Sequence, residues 1–514
     1  MSKLLDLAPG AAAPLAAVPV LSEDAFPHEV AHAVEEGGRL AALFGHAPQP
    51  SQSSHMGGIR LLAVVAFDAS GRLGVVAGEL SRDRYPCLAR FCPQAHYFSR
   101  EIAEQYNVLP EGHPWLKPVR FAPPLPGALP VDPFEGRRTI GVTDYFRMYG
   151  PDVHEVAVGP VHAGVIEPGH FRFQCFGEIV HHLEISLGYQ HRGLERFLPN
   201  APAGRVLPIM ETVAGDTTIG HALAYCQIVE ALSGLAVSEP AGLVRAVALE
   251  LERLANHVGD LGALAGDVGF LPTLAYCGRL RGDLLNISAL LCGSRFGRGL
   301  VVPGGVRFAL EPSRLEELRE RLAQTMRDVT GAVELMFGAT SVRARFEGTG
   351  AVSAAVARDL GLVGPAARAC GLTLDSRKDF AAGAYASTPI LPAVEESGDV
   401  FARAQVRWRE CQESARFIGC ALDRLSGLAP AEAPVAPPRA LAPDSLAVGL
   451  TEGWRGEVCH VALTGSDGGI ARYKIVDPSF HNWMGLAMAL RGQQISDFPL
   501  CNKSFNLSYC GHDL

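Results

Sequence analysis

Charge is scarce in this 514-residue chain. Asp, Glu, Lys and Arg together make up 19% of it, and 45 Lys+Arg against 54 Asp+Glu leave a net charge of -9. It has no basic run to track a phosphate backbone, so nucleic acid is not an expected partner. Long apolar runs are missing as well. Mean hydropathy is +0.14, yet a charge, Gly or Pro breaks every apolar stretch before the roughly 18 residues a membrane-spanning helix needs. With 48% hydrophobic residues and so few charges, the surface is expected to be covered by other subunits rather than by water.

The cysteines lack pattern. Twelve are scattered from Cys87 to Cys510 without a C-x-x-C pair. Neither a zinc ribbon nor a local iron-sulfur motif can be written from them. Most are expected as small buried hydrophobes in a reducing cytoplasm. One Lys, an early Asp6 and a Pro-interrupted Ala-rich stretch do not make a secretory signal. The glycine-rich pieces 302–306 and 348–350 lack the strand and helix context of a phosphate-binding loop, and no GxSxG elbow occurs.

At roughly 150 residues per domain the length predicts two to four domains. Residues 121–134 (FAPPLPGALPVDPF) carry five prolines and mark a semi-rigid linker. The division expected is a flexible N-terminus over 1–24, a small α+β domain over 25–121, a Pro-rich linker over 122–150 and a mainly helical domain over 151–514. In the first domain, residues 60–80 form a hairpin around Asp68-Ala69-Ser70-Gly71, flanked by helical periodicity over 29–44 and 98–106. In the second, 171–187 is a pair of strands turning near Gly177. Helices are expected over 243–264, 284–291, 314–337 and 401–425, and a further hairpin over 457–476. The Ala/Pro-rich stretch 428–443 is expected as a loop within this domain.

Glu250, Arg253, Asn256, His257 and Asp260 share roughly one face of the longest helix, and Asp267 extends that face. They form either a solvated stripe with intrahelical ion pairs or a buried one in which every charge must be paired. His181 and His182, adjacent on a strand, point to opposite faces and cannot chelate one ion. With His191, Glu178 and Glu184 they are expected to be structural.

Four segments go beyond generic pattern. Residues 97–120 (YFSREIAEQYNVLPEGHPWLKPVR) resemble the end of the C subunit of complex I, the NADH:quinone oxidoreductase. Residues 159–164 (GPVHAG), 187–196 (LGYQHRGLER) and 477–514 (from DPSFHNW to NKSFNLSYCGHDL) resemble its D subunit and the large subunits of group 4 nickel-iron hydrogenases. Their order resembles the C-D fusion of formate hydrogenlyase and hydrogenase-4 type large subunits. The resemblance implies an α+β fold, with a C-like α+β domain followed by a D-like helical bundle with peripheral β-hairpins.

Departures from the family pattern are as informative. The thiolate pairs that hold nickel and iron in such hydrogenases, from R-x-C-G-x-C and D-P-C-x-x-C, fall here on Ala214, Thr217, Ser479 and Asn482. Harder oxygen ligands do not replace four thiolates for that metal pair. The quinone-headgroup positions of the complex I family fall on Ile166 and Gly215. What the resemblance retains is Arg192, matching the Arg beside the terminal cluster, His162 in the GP-x-H stretch, and Asp267, matching the acidic residue behind the quinone His. It implies that Asp216, His221, Asp267, Asp477, Ser479 and His481 cluster near the vacated site. There they are either proton-transfer groups or the satisfied lining of a dead pocket.

The function implied is that of a redox subunit of a complex I-like assembly. It passes electrons from a partner's iron-sulfur cluster to a quinone or another acceptor, coupled to ion translocation, without a nickel-iron site. The alternatives are a scaffold relaying conformational change to the membrane arm and, more remotely, a nickel-iron hydrogenase. No cofactor is expected on this chain itself. A four-iron four-sulfur cluster is expected in a B-like partner, alongside ferredoxin-like, antiporter-like and other membrane-arm subunits. The placement expected is cytoplasmic, peripheral on the inner face of the cell membrane, with the tail retained through Leu514.

Overall fold

Gly37, at φ 95°, ends the first helix, Ala25–Glu35. A Cβ on Gly38 would lie 2.5 Å from Val65 and 2.6 Å from the Ala33 carbonyl oxygen, so the chain turns and continues as the strand Arg39–His46. The helix expected over 29–44 is thus a helix only in its first part. A strand buried on both faces carries no period of two to mark it. The computed structural model describes residues 3–47, 58–162, 166–432, 434 and 441–514.

Arg39–His46, Arg60–Phe67 and Arg72–Glu79 are successive antiparallel neighbours. The last two are joined by the Asp68–Gly71 turn read from the sequence, with Gly71 at φ 64°. Leu5–Leu7 and Val20–Ser22 add to Arg72–Glu79, whereas Ala12–Pro14 pairs with Ser445–Gly453 in a second, C-terminal sheet. The described part of segment 1–24 is therefore built into two sheets rather than flexible. Pairing with distant strand edges holds it, and no local propensity announces such pairing.

Residues 112–152 contain neither helix nor strand, in keeping with their prolines, but they are tied down. Arg138 bonds Asp132, Asn107 and the carbonyls of Glu104 and Ala122, and Lys117 pairs with Glu184. The parts on either side share one apolar core. Buried ion pairs also cross between them: Arg39 meets Glu457 at 2.6 Å, and Lys474 lies between Glu101 at 2.6 Å and Glu195 at 3.0 Å.

The helical layer comprises Thr218–Ser233, Glu239–Asp267, Leu271–Cys292, Pro312–Gly338 and Val400–Ser426, the last capped by the Asp399 side chain. The long helix Glu239–Asp267 packs against Leu271–Cys292 closely enough that a Cβ on Gly262 would lie 2.7 Å from Cys277 Cβ. Its polar stripe is buried. Arg253 pairs with Glu250 and Glu410, His257 with Glu410, and Asp260 with Arg407. Arg368, Arg377, Asp375 and Glu452 close the network. The residues read as a stripe from Glu250 to Asp260 are one side of an ionic core, with their charges matched as burial requires, while Asp267 lies beyond it.

Gly456–Thr464 and Ile470–Val476 complete the C-terminal sheet, and Val153–Val158, His170–Phe176 and Ile179–Ser186 form a third. His182 rests beside Phe146, and His191 Nδ1 bonds the Asp513 carbonyl at 2.7 Å, both structural roles. Of the loop expected over 428–443, residues 433 and 435–440 lie outside the described residues.

Candidate functional site

Ala214 and Thr217 lie in the turn leading into helix Thr218–Ser233. Ser479 and Asn482, three apart, share one face of helix Pro478–Ala489, where Asp477 is the cap and accepts the Ser479 N–H at 2.8 Å. All four are buried and, Ala214 apart, polar groups already in use. Asn482 Oδ1 accepts from Val363 N at 3.0 Å and its Nδ2 donates back to the Val363 carbonyl at 3.1 Å. Ser479 Oγ accepts from Ser508 N at 2.8 Å. Arg455 grips both Asp216 oxygens, at 2.6 and 2.9 Å, reaches Thr217 Oγ1 at 3.5 Å and lies 3.9 Å over the Trp454 ring. A methyl, two hydroxyls and an amide already bonded at both ends do not fit a nickel-iron pair. Among the described residues, no group of three or more His, Cys, Asp or Glu side chains is placed to hold a metal ion.

Behind this site runs a buried chain of four side chains. Tyr473 OH meets His460 Nδ1 at 3.0 Å, His460 Nε2 meets His221 Nδ1 at 3.0 Å, and His221 Nε2 meets Asp477 Oδ2 at 3.1 Å. An ionised carboxylate only accepts, so His221 Nε2–H donates to Asp477, His460 Nε2–H donates to His221, and Tyr473 donates to His460. With both rings neutral, every nitrogen is used. Burial drives the His460 pKa well below the ordinary imidazole range, aided by His221. Burial also pushes the Asp477 carboxyl up, but His221, Arg455 and Ser479 together hold it below its usual value.

Of the six residues expected to cluster, His221, Asp477 and Ser479 are joined by hydrogen bonds, and Asp216 reaches the site through Arg455. His481 does not join them. Two positions along from Ser479 on a helix, it points the other way, beside Phe98 and bonded to the Ala41 backbone, and burial pushes its pKa down to about 3. Asp267 is also elsewhere, at the far end of the long helix. It lines a cavity of about 400 Å³ together with His162, Ile166, Phe173, Phe498, Lys503 and Tyr509. His162 Nε2 is bonded to the Gly169 carbonyl at 3.0 Å. Burial raises the Asp267 carboxyl, and Lys503 opposes the shift. Arg192 is fixed by three carbonyls, those of Thr212 and Val213 at 2.7 Å each and Cys510 at 3.2 Å.

Sequence reasoning missed Arg455, His460, Tyr473 and Glu252. Arg455 and His460 lie on or beside strands, each 239 residues from Asp216 and His221 respectively, and Tyr473 joins through His460 from the neighbouring strand, so no local pattern marks them. Glu252 was within view. It falls off the stripe by two residues, and its carboxylate caps helix Thr218–Ser233 by accepting from Ile219 N at 2.7 Å and Gly220 N at 3.2 Å. Burial pushes its pKa up to about 8, against those two bonds.

A helical bundle around the long helix, flanked by hairpin sheets, with Arg192 bonded to the turn that precedes Ala214, is the frame of a subunit of an oxidoreductase complex. The chain belongs to the family of the 49-kDa subunit of respiratory-chain NADH dehydrogenase and the related membrane-bound hydrogenase subunits. Residues 267–440 match that 49-kDa subunit's family model. The chain is 30% identical to hydrogenase-4 component G of Escherichia coli K12 over 92% of its own length and 84% of the other. It is 31% identical to the carbon monoxide-induced hydrogenase of Rhodospirillum rubrum over 69% and 97% of the two chains. With NADH-quinone oxidoreductase subunit 4 of Thermus thermophilus the identity is 30%, over 67% and 90%. No helix among the described residues is long and apolar enough to cross a membrane.

Proposed function

We propose that this chain is a redox subunit of a membrane-associated complex I-like assembly, in which electrons from a partner's iron-sulfur cluster pass to a quinone-class acceptor without a nickel-iron site. The observation that carries this reading is the mainly apolar cavity of about 400 Å³ that gathers His162, Ile166 and Asp267. Its size and lining suit a flat carbonyl-bearing ring. Arg192, held by three carbonyls, is pre-set to present its charge to a cluster on a B-like subunit, where a fixed cation favours the reduced state. Converting a quinone to a quinol takes two electrons, delivered singly, and two protons. Asp267, raised by burial, is the group of this chain suited to hold one of those protons at the cavity wall. Ferredoxin-like and antiporter-like partners, ion translocation and a position on the cytoplasmic face of the membrane complete the reading.

The test is reduction of a short-chain quinone by the purified complex, with reduced viologen as donor. Asp267→Asn is expected to slow it about a hundredfold while cluster reduction stays intact. Wild-type turnover in that variant, or stoichiometric nickel with hydrogen evolution, contradicts the proposal. A scaffold role is the second reading. It is favoured by Ile166 and Gly215 at the headgroup positions and by the committed side chains around Arg455, and unchanged turnover in Asp267→Asn supports it.

A further inference from the structure

Helix Phe498–Phe505 turns Pro499, Asn502 and Lys503 toward the cavity that Asp267 lines, as the spacing of one helix face requires. Lys503 stands in the last turn, where the helix dipole favours a cation. It is only partly buried. Among the described residues its ammonium makes neither a hydrogen bond nor an ion pair. Nor is its Nζ one of the buried polar atoms left without a partner, so the charge is accessible rather than sealed in protein.

Asp267 answers it from the end of the long helix. It too is accessible, and free of hydrogen bonds and ion pairs among the described residues. The two charged groups lie more than 4.0 Å apart, since no ion pair joins them. Lys503 is nevertheless near enough to oppose the rise that burial gives the Asp267 carboxyl. Other polar groups of the wall are engaged, His162 Nε2 with the Gly169 carbonyl at 3.0 Å, Asn506 with Asp260 and Asn502 with Tyr509. A free ammonium and a free carboxyl thus face one mainly apolar space of about 400 Å³. A ligand placed between them meets a cation on one side and a proton donor on the other.

We infer that Lys503 is the residue that recognises the acceptor, its ammonium donating to a carbonyl oxygen of the quinone-class molecule and holding the negative charge that the first electron places there. This rests on the proposed function above. The electron comes from the partner's cluster, which is oxidised as the acceptor is reduced, and the proton that follows passes from the Asp267 carboxyl to an acceptor oxygen. In the assembled complex, with reduced viologen as donor, Lys503→Gln should raise KM for a short-chain quinone about tenfold, the size of one charge-assisted hydrogen bond, and lower kcat as well. Lys503→Arg keeps the charge and should stay within about threefold of wild type. Neither variant should change cluster reduction or the thermal midpoint, because Lys503 has no partner in the protein to lose. A KM unchanged in Lys503→Gln, or raised equally in Lys503→Arg, overturns this assignment, and leaves the functional reading standing where wild-type turnover is normal and Asp267→Asn slows it. A wild-type complex that neither binds nor reduces the quinone overturns both.

Discussion

Arg455 clasps Asp216 through both guanidinium nitrogens, at 2.6 and 2.9 Å, beside the positions where hydrogenase-type large subunits would carry thiolates. The Arg is buried while the Asp side chain is about one-third exposed, so the pair both closes the site and faces its opening. Arg455→Met is expected to cost about 1–3 kcal/mol, because the Asn506 carbonyl and Asp216 each lose a charged donor. Asp216→Asn should cost less, and the double variant less than the sum. Urea unfolding of the four proteins measures the coupling.

The chain from Tyr473 through His460 and His221 to Asp477 leaves no nitrogen spare, so its members should respond unequally. Tyr473→Phe removes one terminal donor, for about 1 kcal/mol. His460→Ala breaks two bonds and opens a cavity in the sheet, for about 2–4 kcal/mol. Chemical denaturation separates them, and equal losses would contradict the hydrogen-bond order.

Stability should fall on both sides of pH 6.5 for different reasons. His481 and His96 are pushed down to about 3, and His46 and His113 to about 4, chiefly by burial. The unfolded chain protonates them below about 6.5 and the folded one does not, so stability is lost as pH falls. Glu252 is pushed up to about 8 by burial, and burial also holds Glu452 above the ordinary carboxylate range. These groups keep protons that the unfolded chain releases, so their contribution is full at low pH and is lost as pH rises toward 8. Urea midpoints between pH 6.5 and 8 should decline in the wild type and decline less in Glu252→Gln.

Lys474 is fully buried between Glu101 and Glu195, which Arg120 and Arg472 also reach. Because this cluster joins the N-terminal part to the C-terminal sheet, Lys474→Met should cost about 3–5 kcal/mol by taking from Glu101 and Glu195 the buried cation they share. Lys474→Met with Glu195→Gln should cost less than the sum of the two single losses. Both are read by denaturant unfolding.

His481 and Asp267 should now part company, although the sequence grouped them. Asp267→Asn is expected to impair acceptor reduction with little change in stability. His481→Ala should lower the thermal midpoint, through its lost contacts with Phe98 and Ala41, and leave turnover per folded complex unchanged.

Where a local device sets the structure, the sequence was enough. Asp68–Gly71 marked its hairpin, Asp399 its helix start, and the spacing of Glu250 to Asp260 one helix face. It failed where distant pairing decides. Ala12–Pro14 is a strand because Ser445–Gly453 offers an edge, and the strand from Arg39 reads as a helix because both its faces are buried. Resemblance singled out Arg192, His162 and Asp267, whereas Arg455 and His460 became visible only when strands, helices and the C-terminal segment were brought together.

The central claim is that a quinone-class ligand occupies the cavity beside Asp267 and Tyr509. Its most direct test is photo-crosslinking of the assembled complex with an azido-quinone, followed by peptide mapping. The account predicts labelling on peptides spanning residues 495–509 that excess unlabelled quinone suppresses. Labelling confined to other subunits, or labelling of this segment that competitor leaves unchanged, would contradict it.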